Sequence, residues 1–509
     1  MPGREHTLTS VWPAGSPLAL QALDPRDDLL TEEREADRRG AREGATSFVQ
    51  TVGPFRTYRR TVSTQDDQVA QTITYRLVIP WFGVLFALPV RRALHRRPAP
   101  GAASPWWTPP DRLTERQART LALLAAAAMS AAFANTLFTQ TANFAADTFG
   151  VGDRGQGVGG AIVRLGVLIA LPFAVVADRL GRRRTIVLTA WLAPLFCALG
   201  TFAPNFWVLV GTQTVGRPLG IALSLLATVA AAEDMPRSSR AYALSLLAMA
   251  AGLGAGIAVG ALKLADVGDE GWRLVYLLSL IWIPVAVSLM RQLLETRRFE
   301  KRHTIAPPLN GRRLTLVAVV ALASSMFVAP AAFFQNRYLG DVRGFSAGGI
   351  AMFTLLTATP ASIGLILGGR LADVVGRRIL IATCTPLSTV FLVLGFNTGG
   401  WLMWASVLVG GLTAAIAYPA YAVYRTELFP TGNRGRANGL VTTTGLISGS
   451  VGILVVGIAR DRGSSFGAIM AIMGVGQLVA AFVAYRHYPE TAHLELEQLN
   501  PEDPALTEG

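Results

Sequence analysis

The sequence predicts an all-α membrane protein with twelve transmembrane helices arranged as two six-helix repeats, and three observations carry this prediction. Of the 509 residues, 51% are hydrophobic and 16% are charged, whereas soluble domains have about 25% charged residues. From residue 119 onward, apolar segments recur that are long enough to cross about 30 Å of hydrocarbon. Charged motifs of the first half also return in the second half at a nearly constant spacing.

The residues before this pattern are predicted to lie outside the bilayer. Residues 1–72 are rich in Asp, Glu, Arg, Thr and Pro and predict a disordered tail. Residues 73–118 predict an interfacial helix followed by a linker. The apolar segment of this region, Leu77–Val90, is shorter than the about 20 residues of a membrane span and is flanked by arginines, which favours an interfacial helix over a thirteenth span.

The membrane body divides into two bundles of six predicted helices. Residues 119–294 form the N-terminal bundle and residues 314–487 the C-terminal bundle, with the basic segment 295–313 as a cytoplasmic central loop and residues 488–509 as a cytoplasmic tail. The predicted helices are residues 119–143, 156–178, 185–204, 206–232, 241–264, 273–294, 314–337, 347–372, 379–397, 401–427, 437–459 and 466–486.

The net charge of +13 comes almost entirely from arginine, since lysine occurs only at Lys263 and Lys301. Most of the arginines of the membrane body fall in loops on one side of the predicted bilayer, which is the pattern of cytoplasmic loops. The charge therefore indicates topology in the lipid bilayer rather than nucleic-acid binding. It predicts a bacterial plasma-membrane (inner-membrane) protein with both ends of the twelve-helix body in the cytoplasm.

Simple counts argue against an enzyme. Cys197 and Cys384 lie in apolar segments and form neither a disulfide framework nor a cysteine-based metal site. Neither lysine stands in a P-loop, and no metal-binding motif or nucleophile–base set is recognisable. We therefore expect no metal, no cofactor and no catalytic residue.

The internal repeat is marked by charged motifs that keep the same order in both halves. The first half carries Asp178-x-x-Gly181-Arg182-Arg183, the pair Glu233 and Arg240, and Glu295. The second half carries Asp373-x-x-Gly376-Arg377-Arg378, the pair Glu427 and Arg434, and Glu490. Three matching motifs in one order indicate a duplicated six-helix unit, which is how many secondary transporters are built.

These loops resemble the G-x-x-x-D-x-x-G-R-R signature of the major facilitator superfamily, with Ala174 in place of the first glycine, and the resemblance covers about residues 115–495. The Glu-x6-Arg pairs resemble the sugar-porter and metabolite–proton symporter branches. The resemblance implies the major facilitator fold and alternating access. It also implies that the repeated motifs form a gating network, which holds the cytoplasmic ends of the two halves together in the outward-facing state.

Two arginines within predicted helices are candidates for substrate binding, because an ionisable residue inside a bilayer is costly and is usually functional. Arg164 lies about 21 Å along its helix from Asp178, and Arg217 lies about 24 Å from Glu233. No predicted helix has an acid near its middle, so the pair favours an anionic ligand. The alternative is that they extend to the surface or pair with Asp147 or Asp153.

Helices one and seven add amide side chains, Asn135 and Gln140 in the first and Gln335 and Asn336 in the second. Amides at these positions bind substrate or join neighbouring helices, and the sequence does not decide between the two roles. The first helix lacks the acid of many proton symporters of the resembling branch, so coupling to protons stays open.

We therefore predict a secondary active transporter of a small organic solute, with an organic anion favoured, and we expect it to be a monomer. A drug or antibiotic efflux antiporter is the alternative within transport. A membrane scaffold, sensor or scramblase without coupled transport is the alternative from another class.

Overall fold

The computed structural model describes residues 5–35, 45–65, 67–96, 105, 107–109, 111–170, 181–236, 239–295, 310–429 and 434–491. Within these ranges, only the backbone is described at positions 240, 241, 366, 370, 373, 425–427, 434 and 435.

The first 77 residues include a folded sheet, so the prediction of a disordered tail over residues 1–72 is wrong. Five antiparallel strands pair in the order β1-β5-β4-β3-β2. The strands are β1 His6–Pro13, β2 Thr31–Arg34, β3 Ala45–Val52, β4 Phe55–Gln65 and β5 Gln68–Leu77, and the short helix α1 is Pro17–Ala22. The fold class predicted as all-α therefore applies to the membrane body, which carries a small β domain before it.

The prediction of disorder failed because charged side chains of this domain pair with one another in its interior. The Arg60 guanidinium lies 2.5 Å from a carboxylate oxygen of Glu32, with both side chains fully buried, and the Tyr58 hydroxyl donates a 2.6 Å hydrogen bond to Glu32. Burial and the Glu32 charge raise the pKa of Tyr58 well above its usual range, so the phenol stays a donor. On β5, Val69, Gln71 and other alternate side chains are buried, the period-2 pattern of a strand with one core face.

The region predicted as an interfacial helix forms helix α2, which spans Gly83–His95 rather than Leu77–Val90. Strand β5 takes the chain to Leu77, and Trp81 then adopts a positive φ of 67°, so a helix cannot start earlier. The Arg26 guanidinium donates to the carbonyls of Ala93, Leu94 and Arg96 and so caps the C-terminal end of α2. This contact fixes α2 on the β domain.

The membrane body follows the predicted helices closely. Within the described residues, eleven helices are long and apolar enough to cross a membrane; the second predicted helix is described only to Ala170. The helices are α3 Glu115–Thr148, α4 Asp153–Leu165, α5 Arg182–Leu199, α6 Phe206–Asp234, α7 Arg240–Gly260, α8 Trp272–Leu277, α9 Ile283–Gln292, α10 Gly311–Asp341, α11 Ala347–Ala358, α12 Ala361–Val374, α13 Arg377–Asn397, α14 Gly400–Glu427, α15 Arg434–Asp461 and α16 Phe466–His487.

Some spans are interrupted, which divides twelve predicted helices into more elements. A 3₁₀ segment follows α4 (Gly166–Ala170) and another follows α7 (Ala261–Val267), and Leu278–Trp282 joins α8 to α9 as one span. A turn at residues 359–360 separates α11 from α12. Thr114 caps the N-terminus of α3: its side chain accepts from the Gln117 backbone amide, while the Gln117 side chain accepts from the Thr114 backbone amide, a reciprocal capping box.

Helix packing repeats between the two halves. Helix α3 packs on α7 and α6, and α5 packs on α6; in the second half α10 packs on α15, and α13 packs on α14. The halves meet through α4 against α15, through the 3₁₀ segment 261–267 against α11, and through α3 against α10. At the first contact, Gly157 and Gly457 approach so closely that a Cβ added to either would lie 3.2 Å from the Cα of the other.

The two ends of the bundle carry different sets of residues. The charged-loop end carries Gly181, Gly376, Glu295 and Glu490. The closed end carries Asp147, Asp153, Arg337, Asp341 and Arg460, and it is where the described contacts between halves concentrate. The β domain joins the charged-loop end, because Arg112, just before α3, pairs with Asp27 at 3.0 Å.

Candidate functional site

A cavity of about 170 Å³ lies between the two halves of the bundle. Both halves line it, with Thr139, Gly160, Arg164 and Arg217 from the first half and Ser325, Val328, Ala329, Ala332, Phe333 and Ile453 from the second. Sites between repeats near the bilayer midplane are where secondary transporters bind their substrates. The structure therefore brings together the two arginines that the sequence singled out.

Among the residues that the structure describes, Arg164 and Arg217 have no protein counter-charge at this cavity. Neither guanidinium has a hydrogen-bond or ion-pair partner among the described residues, and the Nε atom of each is buried without one. The two acids considered as alternative partners are engaged elsewhere, since Asp147 pairs with Arg337 and Asp153 pairs with Arg337 and Arg460. Unpaired buried guanidinium groups are costly, so this arrangement is suited to an anionic ligand.

The Arg164 side chain reaches across the interface between halves because its neighbours are small. A Cβ added to Gly449 of α15 would lie 2.5 Å from the Arg164 Nε atom and 2.8 Å from the Ala329 side chain. Glycine at position 449 is thus required for the guanidinium to lie beside the C-terminal half. Because Arg164 contacts both halves, its surroundings change when the halves move relative to each other.

A second, more apolar pocket of about 140 Å³ adjoins this cavity. Val328 and Ala332 line both spaces. The second pocket also contains Gln335, and its walls include Phe353 and Phe396. A charged compartment next to an apolar one fits a ligand with an anionic group on a compact carbon body.

The other predicted amides have different surroundings. The Asn336 Nδ2 atom donates to the Gln140 side-chain oxygen at 2.9 Å and to its carbonyl at 2.8 Å. This bond joins α3 to α10, which favours the helix-contact alternative for both residues. Gln335 lies 3.5 Å from the Thr354 hydroxyl, and the Asn135 Oδ1 atom is buried with no partner among the described residues.

The first charged loop forms a compact network within the N-terminal half. Gly181 precedes α5 with a φ of +96°, a conformation that side chains disfavour. The Glu295 carboxylate accepts from the Arg183 backbone amide at 3.1 Å, and a Cβ at Gly181 would lie 2.9 Å from that carboxylate. Arg182, also of this loop, pairs with Glu233 at 2.6 Å.

The second charged loop repeats this geometry. Gly376 has a φ of +103°, and a Cβ there would lie 2.8 Å from the Glu490 carboxylate. Glu490 accepts from the backbone amides of Arg377 and Arg378 at 3.0 and 3.1 Å. A carboxylate from the segment just after the last helix of each half therefore caps the N-terminus of the third helix, where the helix dipole favours negative charge.

Several predicted gating residues cannot be placed in this network. Asp178 lies outside the described residues. The side chains of Arg240, Asp373, Glu427 and Arg434 are not described, although their backbones are helical. Arg183 does not reach Glu233: its side chain donates to the carbonyls of Met290 and Leu293.

The closed end carries an ion cluster that sequence reasoning missed. Arg337 of α10 pairs with Asp147 at the C-terminal end of α3, with Asp153 at the start of α4 at 3.1 Å, and with Asp341 one turn along its own helix at 2.7 Å. Arg460 of α15 lies 3.3 Å from Asp153. The sequence did offer a signal for this cluster, because Asp147 and Asp153 lie between the first two predicted helices and Arg337 ends the seventh, all at the same end of the bundle. The arginines of the cluster have no counterparts at the repeat spacing, so the motif comparison did not reveal it.

Comparisons with known proteins agree with this architecture. The sequence profile of the Major Facilitator Superfamily matches residues 122–357 and 314–506. The chain is 26% identical over 339 residues to the cis,cis-muconate transport protein of Acinetobacter baylyi, covering 61% of this chain and 80% of that protein. It is 29% identical over 260 residues to the citrate–proton symporter of Klebsiella pneumoniae, covering 46% and 58%. An inward-open structure of the xylose transporter from E. coli matches with a TM-score of 0.63 at 14% identity, covering 75% and 99%.

The family match confirms the predicted fold of two six-helix repeats, and the family and its relatives are transporters rather than enzymes. The chain belongs to the Major Facilitator Superfamily and is a multi-pass membrane protein that acts as a secondary transporter of small organic solutes.

Proposed function

We propose that this protein transports a small organic anion across the bacterial plasma membrane by alternating access, with Arg164 and Arg217 binding the anionic group. The observation that carries the proposal is the pair of guanidinium groups that line one cavity between the halves without a described counter-charge. A carboxylate ligand supplies that charge and accepts two parallel hydrogen bonds from a guanidinium.

In this arrangement, binding of the anion can shift the equilibrium between the two states of the bundle. Arg217 belongs to the N-terminal half, whereas Arg164 extends from that half to Gly449 and Ala329 of the other. An anion held between them contacts both halves, so its affinity differs between the two arrangements of the bundle. A ligand shifts a conformational equilibrium only by such a difference in affinity.

The orientation follows from the distribution of arginine. The positive-inside rule assigns the charged-loop end to the cytoplasm. With that orientation, the described contacts between halves close the outer side, which supports assigning this arrangement to a state closed to the exterior. Substrate exchange in this state takes place from the cytoplasmic side.

The relatives support an anionic solute. The names of the two relatives above include muconate and citrate, which are carboxylates. The name of the second relative also includes the proton, and this supports testing a pH gradient as the driving force. The pocket beside Gln335 favours an anion with an apolar carbon body over a fully hydroxylated one.

The test is uptake into proteoliposomes of purified protein, with radiolabelled cis,cis-muconate, benzoate and citrate offered separately, with and without a pH gradient. We expect uptake of at least one anion. Both Arg164→Gln and Arg217→Gln should lower that uptake by about tenfold or more, because a charge-assisted hydrogen bond is worth about 1.5–3 kcal/mol. Arg154→Gln is the matched control, since Arg154 lies on the same helix as Arg164 and is exposed.

The alternatives give different results. Flux of cationic drugs with no anion flux would favour the efflux antiporter. Absence of gradient-dependent flux for every solute, with lipid or scaffold activity instead, would favour the class without coupled transport.

A further inference from the structure

A long apolar groove of about 250 Å³ separates α2 from the first and fifth membrane spans. Its walls include Phe82, Phe86 and Val90 beside and within α2, Leu121 and Ala125 of α3, and Leu246 of α7. None of the residues that line this groove lines the cavity of Arg164 and Arg217. It is therefore a separate space, built where the β domain meets the membrane body.

The groove extends from the membrane surface into the hydrocarbon. Ala125 is about 15 Å along α3 from Glu115, and Leu253 is about 20 Å along α7 from Arg240. One leaflet contributes about 15 Å of hydrocarbon. The groove thus runs about the depth of a single leaflet, starting at the charged-loop end.

The groove opens toward the bilayer rather than toward the bundle interior. Met249 and Leu253, which line it on α7, are 68% and 55% exposed, and Leu85 of α2 is 67% exposed. Val84 and Leu88 extend this apolar surface along α2 at 88% and 55% exposure. In a membrane-spanning protein such a surface is covered by hydrocarbon, and the groove has the shape to receive one chain.

The surface end of the groove is basic. Arg112 lines it; its guanidinium lies 3.0 Å from Asp27, and its Nε atom is buried with no partner among the described residues. Arg91 and Arg92 of α2, which directly follow the lining residue Val90, are exposed. The acids nearby are engaged, since Asp28 pairs with Arg26 at 2.8 Å and Asp111 bonds the Ser239 hydroxyl at 3.0 Å.

We infer that this groove is a binding site for an anionic glycerophospholipid of the cytoplasmic leaflet. One acyl chain occupies the apolar groove between α2, α3 and α7. The phosphate-bearing headgroup lies at the basic end beside Arg112, Arg91 and Arg92. The bound lipid would hold the β domain against the membrane body, because it fills the space that separates them.

The experiment uses the full chain, purified in detergent, with phosphatidylglycerol as the probe and phosphatidylcholine as the zwitterionic comparison. Native mass spectrometry counts retained lipids, and thermal unfolding measures the stabilisation that each lipid gives. We expect one phosphatidylglycerol retained per chain and a larger rise in Tm with phosphatidylglycerol than with phosphatidylcholine, because a ligand that binds only the folded state raises stability.

Two variants separate the acyl-chain and headgroup contributions. Ala250→Phe fills the groove and should weaken retention of both lipids by about tenfold, the effect of excluding two buried methylene groups. Ala248→Phe is its control, because Ala248 is exposed on the same helix and does not line the groove. The double variant Arg91→Gln/Arg92→Gln should remove the preference for phosphatidylglycerol while keeping retention of phosphatidylcholine.

The inference is overturned if the wild-type protein retains neither lipid and its Tm responds equally to both. That result would indicate that the groove is closed by the chain itself. Equal retention by Ala250→Phe and Ala248→Phe would also overturn it. If Ala250→Phe fails to fold, the double arginine variant still tests the headgroup site, and unchanged lipid preference there counts against the proposal.

Discussion

The two ends of the helical bundle use charge in opposite ways. At the charged-loop end, the described ion pairs and carboxylate caps stay within one half and occur twice, around Gly181 and around Gly376. At the closed end, Arg337 and Arg460 of the C-terminal half pair with Asp147 and Asp153 of the N-terminal half, with no repeated counterpart.

This difference indicates what each set does. Bonds within a half can persist while the halves move, so they stabilise the shape of each half. Bonds between halves must break for the closed end to open, and therefore they contribute directly to the balance between the two states.

The largest expected effect comes from removing the central charge of the closed end. Arg337→Gln leaves three carboxylates without this partner, and losing one member of a partly buried network of this kind costs about 2–5 kcal/mol. The closed state should lose population. Double electron–electron resonance between spin labels at positions 154 and 462, which are exposed on opposite halves at this end, should report a longer distance.

Arg343→Gln is the control for this measurement. Arg343 lies near the same end but bonds the Tyr338 hydroxyl and the Thr398 carbonyl, both in its own half. Unchanged distances in Arg337→Gln, or equal changes in the two variants, would contradict the assignment of the ion cluster as the element that closes this end.

A second prediction tests the repeated geometry at the charged-loop end. Gly376→Ala and Gly181→Ala should each destabilise the protein by about 1–3 kcal/mol, because alanine is strained at these φ values and its Cβ would crowd a capping carboxylate. Thermal unfolding of the purified protein in a fixed lipid mixture measures the loss. Gly369→Ala is the matched control in the same loop motif, since a Cβ there meets nothing within 4 Å. A large loss of stability at only one of the two glycines would contradict the equivalence of the two charged loops.

The third prediction concerns the carboxylate caps. Glu295→Gln and Glu490→Gln keep the hydrogen-bond acceptor but remove the charge at the N-terminus of α5 or α13, which is worth about 0.3–1 kcal/mol at an exposed site. Both should lower Tm by similar small amounts and leave the distance between positions 154 and 462 unchanged. A distance change as large as that of Arg337→Gln would show that these caps also act between halves.

The smallest expected effect is that of the Arg182–Glu233 pair. Both side chains are partly exposed, at 17% and 18%, and such pairs are worth about 0.2–1 kcal/mol. Glu233→Gln should reduce the transport rate in proteoliposomes by a few fold at most, with the protein still folded. Complete loss of transport would show that the pair is part of a larger network rather than an isolated contact.

Sequence reasoning predicted the membrane helices and the tight turns at Gly181 and Gly376 well, because hydropathy and repeated motifs are local signals. It also placed Arg164 and Arg217 at similar depth from helical rise alone. It failed for residues 1–72, where a high content of charge suggested disorder. There the partners that bury those charges, such as Glu32 and Arg60, are far apart in the chain, so composition could not show that they are neutralised.

The sequence by itself determined the membrane class, the two repeats, the turns at Gly181 and Gly376, and the presence of two unexplained arginines. Only the tertiary structure decided which groups those arginines meet. It assigned Asp147 and Asp153 to Arg337 and Arg460, joined Gln140 to Asn336, and placed α2 beside α3 and α7 with a groove between them. The physical reason is that local patterns fix helices and turns, whereas charge pairing and cavities depend on how distant helices cross, and a single sequence does not encode those crossings in any local pattern.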